Sequence, residues 1–318
     1  MIIGDKQELR RCLKQAVRRA QVTEERLDFD VAGGEIGVDA LMSAAAFSGR
    51  NTPFGEDGAA VYAALNALEL PAGDLAGARS MAGSFDRGAW LREVLDAMRA
   101  KRVLVPVSVE RAEAAVYDDD RLSPMIRADA SCFPVGRYGV DYESAARRMA
   151  DAALACGARD ICAEGLGEEA LRYAVLPACE DCRAVLHIEL FGAGQVSVFA
   201  DMLDAFDGVK AVACAEGEAE LSLISQAQTR SGLLVRLSDW AHLDDALAHL
   251  GTRFLPYAAR AGQPELMLGR WLSAKERLWQ ALLEAYLPLA KAGYALESER
   301  IERDVAMLLT GSVEALYL

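Results

Sequence analysis

Short runs of β-branched and apolar residues alternate with longer amphipathic stretches along almost the whole chain. Eight such runs, each bounded by turn residues, predict strands at 26–30, 102–107, 125–130, 160–164, 184–190, 209–213, 233–237 and 252–256. Between them, apolar residues spaced three and four apart predict helices over 90–100, 142–156, 168–179, 196–206, 219–229 and 243–250. Repeated strand-then-helix order implies a parallel sheet. Eight such units predict an α/β fold of the closed (β/α)8, or TIM-barrel, type rather than an open sheet. An open dinucleotide-binding sheet would carry a Gly-rich phosphate loop after its first strand. The sequence there, Ala32-Gly33-Gly34-Glu35, lacks the GxGxxG spacing.

Two regions depart from the repeat. Residues from about 38 to 85 form a helical insertion after the first strand, in which Asn51-Thr52-Pro53-Phe54-Gly55 leads into a helix at 58–68. A C-terminal helical extension covers about 265–318, with helices at 268–292 and 298–309. Trp271, Leu278, Leu282, Tyr286 and Leu289 line one face of the first of these, the pattern of a helix packed on a core. No linker or low-complexity stretch interrupts the chain, so residues 1–318 are expected to form a single barrel domain.

Composition narrows the function. The chain is 53% hydrophobic and 26% charged, which excludes wholesale disorder. Lys and Arg total 34 against 48 Asp and Glu, a net charge of −14 without a basic cluster, so no nucleic-acid partner is expected. No apolar run approaches the roughly 18 residues that span a bilayer, so no membrane partner is expected. The start, Met-Ile-Ile-Gly-Asp-Lys, has no signal-peptide core, so a cytoplasmic location is expected. Cys179 and Cys182 form a CxxC without a second pair or a neighbouring His, which reads as two reduced thiols near a helix end rather than a redox or zinc site. His242 and His249, seven apart, share a helical face with a packing or surface role, and Asp118-Asp119-Asp120 reads as a solvated loop. The chain has only 3 histidines, few for a metal-dependent barrel.

The C-terminal third is the most distinctive part. Leu250-Gly251-Thr252-Arg253-Phe254-Leu255-Pro256-Tyr257 is followed by Trp271, the stretch 278–286, Gly293-Tyr294 and Ile301-Glu302-Arg303-Asp304-Val305. This order resembles the end of the uronate isomerases, a branch of the amidohydrolase superfamily. There a Gly-Thr-x-Phe-Ile-Pro strand is followed by a long helix, Gly-Trp and an Ile-x-Arg-Asp-Val helix. Upstream, Gln21-Val22-Thr23-Glu24, Gly34-Glu35-Ile36, Ile126-Arg127-Ala128-Asp129, Leu176-Pro177-Ala178 and the stretch from Leu237 through Ser238, Asp239, Trp240 and Ala241 to His242 resemble further segments of the family. Identity is thin, as in a divergent member, and much of the family's insertion after strand one is missing.

The resemblance implies a barrel of the metal-dependent hydrolase type, a divalent metal such as zinc, and hexuronate isomerisation. The metal is held by a His-x-His pair on strand one and an aspartate after strand eight. At the matching positions this chain has Arg26-Leu27-Asp28 and Arg260. A guanidinium cannot ligate a metal, so no metal or other cofactor is expected. The resulting expectation is a divergent, non-catalytic relative that binds a sugar acid or other anion in the barrel mouth through Arg26, Arg127, His187, Asp239, Trp240 and Arg260. The alternative is an active aldose–ketose isomerase acting on glucuronate or galacturonate, with Asp28 or Asp129 as base and Arg26 or Arg260 polarising the carbonyl. A ligand-free structural partner is a third reading, and a homo-oligomer remains open.

Overall fold

The computed structural model describes residues 3, 5–23, 25–28, 56–71, 73–83, 86–133, 135–136, 139–206 and 208–318. The expectations for 29–55, including the loop at Ala32 to Glu35, lie outside the described residues. Helix α1 (Lys6–Arg19) precedes β1 (Glu25–Leu27). Then come α2 (Glu56–Ala67), α3 (Leu75–Ala82), α4 (Arg87–Met98), β2 (Val103–Ser108), β3 (Leu122–Ala128) and the small strands β4 (Val135–Gly136) and β5 (Gly139–Val140). Strand and helix alternate next: α5 (Tyr142–Cys156), β6 (Asp160–Ala163), α6 (168–182, with a π turn at Leu171–Val175), β7 (Val185–Leu190) and α7 (Ala193–Ala205). The remainder is β8 (Lys210–Ala215), α8 (Glu218–Thr229), β9 (Leu233–Arg236), α9 (Leu243–Leu250), β10 (Phe254–Leu255), β11 (Arg260–Ala261), α10 (Pro264–Lys291) and α11 (Ser298–Ala306).

Local chemistry sets many of these boundaries. Asp5, Asp74, Asp86 and Asp141 each accept a hydrogen bond from a first-turn backbone N–H, at 2.7–3.0 Å, and so start α1, α3, α4 and α5. Part of the acidic excess is therefore structural.

The chain folds into two compact units, each assembled from separate stretches. One comprises Met1–Val103, Asp118–Leu122 and Ala258–Thr310, the other Leu104–Tyr117, Ser123–Tyr257 and Gly311–Leu318. In the second unit the strands lie in the order β10-β9-β8-β7-β6-β3-β2. The pairs from β10 through β3 are parallel. Sheet order follows chain order without the reversal of a doubly wound sheet. The expected parallel α/β organisation is thus observed. One face of this sheet carries Ile161, Ala163, Leu186, Ile188, Ala211, Ala213, Leu233 and Val235, all buried. The alternate residues on the other face are mixed, from Met125 and Cys162 to Arg127, Glu189 and Arg236.

In the first unit β1 pairs in parallel with β11, Arg26 beside Arg260 and Leu27 beside Ala261. The long α10 organises the rest. Trp271, Leu278 and Leu282 are fully buried as the helical stripe requires, but Leu289, assigned to the same stripe, is exposed because the helix runs past the core near its end. Lys275, one turn after Trp271, is also buried, and its Nζ lies 5.2 Å from the Trp271 ring centroid. Helix α2 approaches α10 so closely that a Cβ at Gly269 would press into the backbone carbonyl of Ala60.

Another expectation needs correction. Asp119 is not a solvated loop residue: its carboxylate takes a two-pronged contact from Arg121, at 2.8 and 2.7 Å, and its side chain is 9% exposed. That guanidinium holds the Asp119 carboxyl below its ordinary value.

Candidate functional site

Parallel strands place all their C-terminal ends at one edge of a sheet, where loops carry the chemistry. In the second unit, register aligns Arg127, Cys162, His187, Val212 and Leu234 in one row, and Glu189, Cys214, Arg236 and Leu255 in the next toward that edge. Arg127 forms an ion pair with Glu164 at 3.6 Å, and Arg236 with Glu189 at 3.1 Å. Cys214 lies between Glu189 and Arg236 in its row, and burial pushes its thiol up. The edge thus carries two guanidinium–carboxylate pairs, Arg127 with Glu164 and Arg236 with Glu189.

The loop after β9 adds an aromatic element. Trp240 stacks on Tyr257, with ring centroids 5.8 Å apart and planes 11° from parallel. Asp239 accepts a hydrogen bond from the Ala241 amide at 2.7 Å, which shapes this turn. Beneath it, Glu220 of α8 is fully buried and accepts the Ser238 amide at 2.6 Å. Burial pushes the Glu220 carboxyl up. Its second oxygen has no hydrogen-bond partner among the described residues.

His187 and Asp129 point to other duties. The His187 imidazole bonds Asp160, the first residue of β6, at 2.9 Å, away from the C-terminal edge. Asp160 is fully buried and also accepts the Tyr317 hydroxyl, while Arg159 bonds the Tyr317 carbonyl at 2.9 Å. This cluster fastens the C-terminal turn. Asp129 bonds the amide and hydroxyl of Ser131, at 2.9 and 2.6 Å, and begins a short 3-10 turn.

In the first unit, Arg26, Asp28 and Arg260 come together. Arg26 Nε donates to Asp28 Oδ1 at 2.8 Å, and Arg260 Nε to Asp28 Oδ2 at 2.5 Å. Two guanidiniums therefore share one carboxylate. Arg26 is almost buried, whereas the Arg260 side chain is 43% exposed. As a divalent-metal site this set does not fit: arginine offers no lone pair, and both Asp28 oxygens face guanidinium. Among the described residues no group of three or more His, Cys, Asp or Glu is arranged to hold a metal ion. No described helix is long and apolar enough to cross a membrane.

Sequence reasoning picked Arg26, Asp28, Arg127, Asp129, His187, Asp239, Trp240 and Arg260, and did not pick Glu164, Glu189, Arg236, Glu220 or Tyr257. Period-two spacing, Asp160-Cys162-Glu164 and His187-Glu189, was the available signal for the first two.

No family model matches the sequence, and no curated protein matches it. Solved structures do. A uronate isomerase from Bacillus halodurans C-125 superposes with a TM-score of 0.84 at 16% identity, over 99% of this chain and 97% of that one. A uronate isomerase from Thermotoga maritima gives 0.66 at 8% identity, over 100% of both chains. A protein from Lactobacillus casei ATCC 334 named as a metal-dependent hydrolase gives 0.64 at 12%, over 96% and 97%. Across its length the chain is similar in fold to the uronate isomerases.

Proposed function

We propose that this chain, with the fold of the uronate isomerases as premise, is a divergent relative that binds a sugar acid or similar anion and does without the family's divalent metal. The observation that carries the reading is Asp28 held between Arg26 and Arg260. These are the positions at which the resemblance would put metal ligands. A guanidinium there repels a cation by on the order of several kcal/mol even at an effective dielectric near 20. The same fork geometry suits a carboxylate, and Arg260 is open to solvent. The closed barrel is part of this proposal, supported by β11, which follows β10 in the chain and pairs with β1. Isomerase chemistry is the weaker reading. Both oxygens of Asp28 are engaged by guanidinium, and Asp129 is engaged by Ser131.

Calorimetry tests the binding. Glucuronate and galacturonate are titrated into chelator-treated wild type and Arg260→Ala, beside an isomerase assay with and without added zinc or manganese. Heat with wild type, about tenfold weaker binding by Arg260→Ala, and no turnover are expected. No heat from either sugar acid, with an unchanged melting temperature, overturns the anion reading. Turnover that depends on stoichiometric metal overturns the metal-independent one.

A further inference from the structure

A cavity of about 440 Å³ opens in the second unit beside β6 and β7, on their buried face, between α6 and α7. It shares no residue with the Arg26–Asp28–Arg260 set. Leu171, Ile188, Leu190, Phe199 and Met202 give it an apolar interior. Its size falls within the range of small-molecule pockets.

Three features indicate what it takes. The carboxylate at its margin, Glu168, is matched by Arg172 at 3.0 Å, so the opening favours neither sign of charge. Gln195 uses its side-chain oxygen to accept the Phe191 amide at 2.8 Å, which leaves its NH2 as the group it can offer a ligand. Phe191 itself, on the rim, is 75% exposed, an apolar ring placed to cover an occupant.

Helix α7 also keeps a glycine in its first turn where a side chain would have room. Gly194 lines the cavity, and a Cβ built there meets nothing within 4 Å. We propose that this cavity is a second binding site, for a neutral, ring-sized apolar molecule carrying one hydrogen-bond acceptor.

The probe is acetophenone, with ethylbenzene and benzoate as comparators, measured by saturation-transfer NMR on the full chain. Acetophenone should bind wild type at least threefold more tightly than ethylbenzene, which lacks the acceptor, and than benzoate, which is charged. Gly194→Leu adds bulk at the cavity's lining, where a Cβ meets nothing within 4 Å, and should weaken acetophenone at least tenfold with no fall in melting temperature. Phe191→Ala should weaken it severalfold, and Arg260→Ala should leave it unchanged, which separates this site from the sugar-acid reading. Absence of acetophenone binding to wild type, equal binding by Gly194→Leu, or preference for benzoate overturns the proposal.

Discussion

Replacing Lys275 with methionine puts an apolar side chain of similar length where an ammonium is now buried. Burial pulls the Lys275 amine down to about 8, with Arg99 adding to the effect and Glu25 opposing it. Against the ordinary 10.5, that drop corresponds to about 3 kcal/mol of disfavour for the charged form in the folded protein. Loss of the cation–π contact with Trp271 returns about 0.5–2 kcal/mol. The net expectation is a gain of about 1–3 kcal/mol at pH 7. The pH dependence follows from the direction of the shift. Below pH 8 the lysine is charged in both states and the full penalty applies. Between 8 and 10.5 the unfolded chain binds more protons, so wild-type stability rises with pH and the advantage of methionine shrinks. Urea unfolding of wild type and Lys275→Met at pH 7 and at pH 10.5 measures both effects. A variant less stable than wild type at pH 7, or a difference of equal size at the two pH values, refutes the reasoning.

Gly269→Ala should destabilise severely, by more than the usual ceiling of about 4–5 kcal/mol or to the point of insolubility, since the added methyl meets backbone of α2 rather than a movable side chain; thermal unfolding or soluble yield reads it. Glu220→Gln keeps an acceptor for the Ser238 amide and removes a carboxyl whose folded value is raised. Wild-type stability attributable to that group is complete below its unfolded value and declines as pH rises through the folded one. The glutamine variant should therefore gain on wild type in melting temperature between pH 4 and 8.

Period explains most of what the sequence disclosed. The run at 184–190 was visible because Val185, Leu186, Ile188 and Leu190 are apolar and bounded by turn residues, and the observed strand is Val185–Leu190. The helix at 142–156 matches Tyr142–Cys156, where the Asp141 cap and the glycine that follows mark both ends. β10 is only two residues long against an expected five, and β11 was missed. Two-residue strands are defined by their partners, and β11 exists through its pairing with β1, which no local pattern encodes. The site divides similarly. Arg26, Asp28 and Arg260 were all found through the resemblance, at the positions where the family carries its metal ligands. His187 was expected among the edge residues, but its partner Asp160 belongs to another strand, and the Tyr317 hydroxyl that completes the cluster comes from 157 residues away. Such contacts depend on the assembled fold.

The interleaved make-up of the two units bears on how the protein is made. Neither is a continuous piece: residues after Ala258 complete the first, and Gly311–Leu318 the second, where Tyr317 reaches Asp160. A ribosome delivering the chain from its N-terminus cannot finish one unit before most of the other has emerged. Their partly built sheets and uncovered apolar faces must coexist during synthesis, and a nascent chain halted near residue 257 would present both to chaperones at once.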